Sequence, residues 1–198
     1  GPGFQAWRAT NDNVYPGVTL DRTVLLAGGL LADVFRVKAD GPRQLDWAMH
    51  LQGQITRPDD ATAVDLGQQR GYRHLTQAWQ HPTRQGWLAL PVTNEAGPVQ
   101  VLVWLGGASD SALVVAQDPP VDGRRPIGDA YPPRPRQCLM VRHHAASAIF
   151  VSLWSFATAK LSTPTLAQSA AGDLTLALRH GNRAWRATFP ATGAPSIG

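Results

Sequence analysis

Three tyrosines, six histidines and an excess of arginine are the residues of this chain suited to acid–base or anion chemistry. Elimination on a uronate is one reaction such groups could serve. It needs a base for the proton α to the carboxylate, an acid for the leaving oxygen and a group that stabilises the enolate-like intermediate. Tyr15, Tyr72, Tyr131, His50 and His74 could supply the first two. Their spacing brings no two of them together, so no residue is assigned a catalytic role. His50, Tyr72 and Arg73 are instead candidates for contact with an acidic glycan, with Arg124, Arg125, Tyr131, Arg134 and Arg136 from a single loop. Guanidinium groups bind carboxylates and sulfates bidentately, and a tyrosine face can stack on a sugar ring.

Other chemistries find little footing. His143 and His144 are adjacent on a strand, so their side chains point to opposite faces. No His-x-His pair occurs, and no metal site is expected within this chain. Cys138 is the single cysteine, which rules out an internal disulfide; its apolar strand setting makes it a small buried residue. Phosphate loops, Gly-x-Ser-x-Gly elbows and His-Glu-x-x-His helices are missing. The net charge is +4, and Lys38 and Lys160 are the only lysines. No basic stripe points to nucleic acid. No apolar run reaches the roughly 18 residues of a membrane helix.

The elements that must position these residues are strands. The apolar period is close to 2 almost throughout, which predicts about twelve strands near 4–9, 18–27, 30–39, 43–52, 73–80, 86–92, 99–105, 112–117, 137–143, 147–157, 173–180 and 183–189. Short strands with frequent Gly and Pro between them predict an all-β antiparallel sandwich with little or no helix. At most one helical turn fits 160–170. Residues 4–189 read as one domain, 1–3 as the remnant of a cleaved tag, and 190–198 as a frayed tail.

One hairpin can be worked out in register. Gly28-Gly29 fits a two-residue type I′ turn, which pairs Ala27 with Leu30. Asp21 then lies opposite Arg36 on one face, which predicts an ion pair between them. Arg22 and Asp33 become diagonal neighbours on the other, apolar face, where a charge needs a partner. This predicts an Arg22–Asp33 ion pair, the alternative being an Arg22 that points into a substrate groove. The next strand alternates cleanly: Leu45, Trp47, Met49 and Leu51 share one face, and Asp46, His50 and Gln52 the other. Asp46 and His50 lie roughly 13 Å apart, too far to touch. His50 is therefore expected to bond a neighbouring strand or to line a groove. Residues 118–136, with six prolines and four arginines, form the one long irregular loop, either facing an anionic glycan or covering an edge. Most of the seven tryptophans fall in strands and belong to the core, with one or two left to stack on sugars.

The opening run from Tyr15 to Gly53 resembles the C-terminal β-sandwich of the heparinase II/III-like polysaccharide lyases, which include alginate and oligoalginate lyases. Gly71-Tyr72-Arg73-His74-Leu75, Trp87-Leu88-Ala89-Leu90, Val101 to Gly106 and Ile149 to Trp154 follow in the order that domain suggests. The resemblance covers roughly residues 10–158. It implies that an upstream α/α toroid carries the Tyr, His and Asn of the elimination site, and that a structural metal lies upstream as well. No position here matches those motifs, so no catalytic residue, metal ligand or cofactor is carried over. The expected role is a non-catalytic sandwich that packs on the toroid and walls a cleft for acidic polysaccharide. A periplasmic or secreted location follows from the family, and an edge left bare would favour a homodimer. A free-standing carbohydrate-binding module and a small self-contained lyase are the alternatives.

Overall fold

The computed structural model describes residues 3–81, 86–93, 97, 99–106, 111–118, 136–156 and 160–198. The chain is all-β and antiparallel. Its strands are β1 (Phe4–Asn11), β2 (Val18–Ala27), β3 (Leu30–Gln52), β4 (Gln54–Ile55), β5 (Thr62–Ala63), β6 (Thr76–His81) and β7 (Gly86–Thr93). They continue with β8 (Val99–Leu105), β9 (Ala112–Asp118), β10 (Arg136–Ser155), β11 (Thr165–Gln168), β12 (Leu174–His180), β13 (Arg183–Phe189) and β14 (Ser196–Ile197).

Two of these strands organise the fold. β3 and β10 pair along nearly their whole length as a long ribbon, from Arg136↔Gln52 to Ser155↔Leu30. Midway, the register jumps between Lys38↔Ser147 and Arg43↔Ala145. Residues 39–42 of β3 then stand against Ala146 alone, and a bulge of this kind bends a strand sharply. Gly41 and Pro42 lie in the bend, where a missing backbone donor is tolerated. The ribbon folds over here, and its two halves face each other across the core.

Each half recruits its own neighbours. β1, β2, β8 and β7 extend the half formed by Leu30–Lys38 and Ser147–Ser155, with β4 pairing β7 at the far edge. The half formed by Arg43–Gln52 and Arg136–Ala145 carries β9, then β6, then β5. Between the two layers lies a core of Val37, Phe150, Trp154, Val101 and Val103 from one side and Leu45, Trp47, Leu139, Leu113 and Val115 from the other. A second sheet, β11-β12-β13-β14, covers the outer face of the first layer and buries Leu25, Val34, Leu153, Leu174, Leu176 and Phe189. On the outer face of the second layer, Val64, Leu66, Tyr72 and Leu75 pack over Val114, Cys138 and Met140.

Several expectations need correction. Segments 30–39 and 43–52 are one strand, and 137–143 is one with the predicted 147–157 strand as far as Ser155. Gly41-Pro42 looks like a turn in sequence but is a bend in a continuous ribbon. In β10 the single unpaired Ala146 inverts the inward parity, from odd residues such as Leu139 and Val141 to even ones such as Phe150 and Trp154. The opening run therefore holds two antiparallel strands, not three. Residues 71–74 form a turn ahead of β6. Within 160–170 lies a short strand, β11, and no helical turn. The tail is docked: Ile197 pairs Ala187, and Arg8 donates to the carbonyls of Ala191 and Gly193.

The Gly28-Gly29 hairpin has the derived register, with φ of 55° and 79° at the two glycines. Arg22 donates from Nε and Nη2 to the Asp33 carboxylate at 3.0 and 2.7 Å. Asp33 is 1 % exposed and also accepts from Trp47 Nε1, at 3.2 Å across the core. This links the two layers. Asp21 and Arg36 are register partners but form no ion pair. Asp21 is taken by Arg8 from the edge strand (2.8 and 2.7 Å), while Arg36 donates to the Phe189 carbonyl in the second sheet. Arg8 wins because both of its nitrogens reach the carboxylate in a parallel fork.

Candidate functional site

The polar residues singled out in the sequence gather on the outer face of the second layer, in two clusters. The pleat puts Gln44, Asp46, Ala48, His50 and Gln52 of β3 on that face. Opposite them in β10 stand His144, Arg142, Met140, Cys138 and Arg136. β9 adds Asp118 beside Arg136.

Asp46 is the centre of one cluster. Arg142, its register partner, grips it bidentately at 2.9 and 2.8 Å. The Tyr72 hydroxyl donates to the same carboxylate from the turn that overlies the face, and Gln44 Nε2 reaches both at 3.1 and 3.2 Å. The Arg142 guanidinium lies over the Tyr72 ring, 5.6 Å from its centroid. Burial, and then the hydrogen bond to Asp46, raise the Tyr72 pKa above its ordinary value. The hydrogen bond to Asp46 raises that of Arg142. Tyr72 is thus held as a phenol and a donor, the wrong state for a base.

Asp118 is the centre of the other. It is buried, and it accepts from His50 Nδ1 at 2.8 Å and from Arg136 Nη2. His50 reaches it diagonally across β10, over Cys138, whose small side chain leaves the path open. The imidazole is half exposed, with Nδ1 fixed by the carboxylate and Nε2 on the other side of the ring. Such a pairing orients a histidine for hydrogen bonding or proton exchange. Beneath it the Cys138 thiol is pushed up to about 12, by burial first and Asp118 second. It is an inert packing group at neutral pH.

The two clusters share a face but do not converge. Asp46 and His50 are four residues apart on one strand, and Ala48 and Met140 lie between them. Arg73 is exposed in the turn beside Tyr72. Arg124, Arg125, Tyr131 and Arg134 lie outside the described residues. Among the described residues, no group of three or more His, Cys, Asp or Glu is arranged to hold a metal. Sequence reasoning missed the two partners that organise the site, Arg142 and Asp118. Each faces its β3 partner through pairing some 70 to 100 residues away, which no local pattern announces.

The aromatic residues divide between the core and the exposed edge of the first layer. Trp47, Trp79 and Trp154 are core, and Trp87, Trp104 and Trp185 are partly buried. Trp7 on edge strand β1 is 56 % exposed; Phe4, Val14, Tyr15 and Phe156 are exposed as well. No protein-family model matches this sequence, and no curated protein matches it.

Proposed function

We propose that this chain is the non-catalytic C-terminal sandwich of a polysaccharide lyase acting on uronate-containing glycans, in the periplasm or outside the cell. Its role is to pack against a toroid domain and wall the substrate cleft. The observation that carries this reading is the exposed edge strand: no described strand pairs the outer side of β1, and Phe4 and Trp7 on it, Val14 and Tyr15 in the loop beyond it and Phe156 beside the Gly28-Gly29 turn are exposed. A bare strand edge carrying exposed apolar side chains is a ready contact for another body. The polar face supports the same division of labour. Tyr72 and His50 are each committed to a carboxylate, and they sit in separate clusters.

The same aromatics favour a second reading, a free-standing carbohydrate-binding module, because tryptophan and tyrosine faces also stack on sugars. Glycan affinity of the isolated chain separates the two. As a scaffold, the chain shows no saturable binding of alginate or heparin oligosaccharides that depends on Trp7 and Tyr15. Binding abolished by Trp7→Ala with the melting temperature unchanged would establish the module instead.

A further inference from the structure

The long ribbon has a feature that neither cluster uses. β10 is flanked by β9 along Arg136–Arg142 and by β8 along Ser152–Ser155. Between these two contacts, over 143–151, no described strand pairs the side of β10 away from β3. The sheet forks there, and the notch of the fork is a cleft of about 470 Å³. That volume is within the range of small-molecule sites.

The lining has a definite chemistry. Trp104 and Gly106, at the diverging end of β8, form one wall. The Trp104 indole lies so close over Gly106 that a Cβ there would overlap it, so glycine is needed for the ring to take this position. Ser147 and His143 come from the β10 side, and Leu166 and Gln168 from β11 of the second sheet. His143 is 3 % exposed; its Nδ1 meets Ser111 Oγ at 2.9 Å, and its Nε2 is buried without a hydrogen-bond partner. An unsatisfied buried ring nitrogen is costly and calls for an explanation. No described charged residue lines the cleft.

We propose that this notch is a binding subsite for a single uncharged pyranose ring. Trp104 supplies the apolar face; Ser147, Gln168 and the backbone groups of β10 that no described strand pairs supply hydrogen bonds to ring hydroxyls. An aromatic platform with a few neutral polar groups suits a sugar's mixed surface, and the lack of charge among the described lining residues selects against a uronate. This site is separate from the acidic-glycan cleft of the proposed function, and it stands or falls independently of it.

The test is calorimetric titration of the full chain with methyl α-mannopyranoside, methyl β-glucopyranoside and methyl β-glucuronide, with tryptophan fluorescence read in parallel. A neutral glycoside is expected to bind saturably and perturb the fluorescence. Ser147→Ala and Gln168→Ala, both at exposed positions, should each weaken it roughly fivefold, the worth of one hydrogen bond, without lowering the melting temperature. Trp104→Ala should abolish binding; because Trp104 also packs on the core, the two exposed variants carry the decision. No saturable binding of any glycoside would overturn the proposal, as would binding indifferent to Ser147 and Gln168. Tighter binding of the glucuronide than of the neutral sugars would overturn the assigned class.

Discussion

Asp33→Ala is expected to be among the most damaging single substitutions in this protein. The carboxylate is buried and accepts three hydrogen bonds, two from Arg22 and one from Trp47 in the opposite layer. Its removal leaves the Trp47 indole N–H unsatisfied in the core, which costs about 1–3 kcal/mol. It also strips Arg22 of its counter-charge, although that side chain is 40 % exposed and can turn to water. With Arg22 regaining water, the loss for Asp33→Ala is about 2–3 kcal/mol in all. Against a typical total of about 5–15 kcal/mol, that is a large share. Arg22→Ala should cost at least as much, because the carboxylate left behind cannot reach water. Urea denaturation followed by tryptophan fluorescence measures both. With a slope near 2 kcal/mol/M, the midpoint should fall by roughly 1 M or more. Replacing both partners at once, Arg22→Met with Asp33→Leu, should recover most of the loss, since an apolar pair avoids desolvating charge. A loss below about 1 kcal/mol for Asp33→Ala would refute the claim that this carboxylate fastens the layers through Trp47, and a double-mutant cycle with no coupling would refute the Arg22–Asp33 pair.

Three further outcomes follow from the same structure. Cys138 keeps its proton up to about pH 12 when folded, against 9.0 in the unfolded chain, so stability should be complete below pH 9 and decline above it; Cys138→Ala should flatten the alkaline limb of the melting profile. Burial holds the His143 pKa below its ordinary 6.5, so the unfolded chain takes up the proton first as pH falls; melting temperature should drop below about pH 6.5, and less steeply in His143→Gln. Gly17 has φ of 70° and lies against the Asp40 carboxylate, so Gly17→Ala should cost more than about 1 kcal/mol, read by thermal unfolding, whereas Gly28→Ala meets no steric obstacle and pays for its positive φ alone.

Local patterns in the sequence carried the all-β class, one hairpin and the faces of single strands. The Gly28-Gly29 turn fixes a register by counting, and that register puts Arg22 beside Asp33 on an apolar face. Period-2 alternation likewise gave the two faces of residues 45–52. It fails where a bulge shifts parity, as Ala146 does, and where Gly41-Pro42 mimics a turn; both effects divided one ribbon into four strands. The Asp21–Arg36 expectation failed for another reason. Being opposite in register does not exclude a better-placed competitor, and Arg8 comes from a strand whose pairing could not be counted from that turn. The clusters around Asp46 and Asp118 depend on β10 and β9 joining β3 from far along the chain, so the sequence supplied His50 and Tyr72 without their partners.

The central claim, that this sandwich supports elimination chemistry without performing it, is tested most directly by ultraviolet absorbance. The purified chain is incubated with alginate, heparin, hyaluronan and chondroitin, and the unsaturated uronate made by elimination is followed over time. The account predicts a flat trace on every substrate, because Tyr72 is held as a phenol on Asp46 and His50 is paired with Asp118 in a separate cluster. A rising trace that is lost in His50→Ala or Tyr72→Phe would contradict it and place the acid and base within this chain.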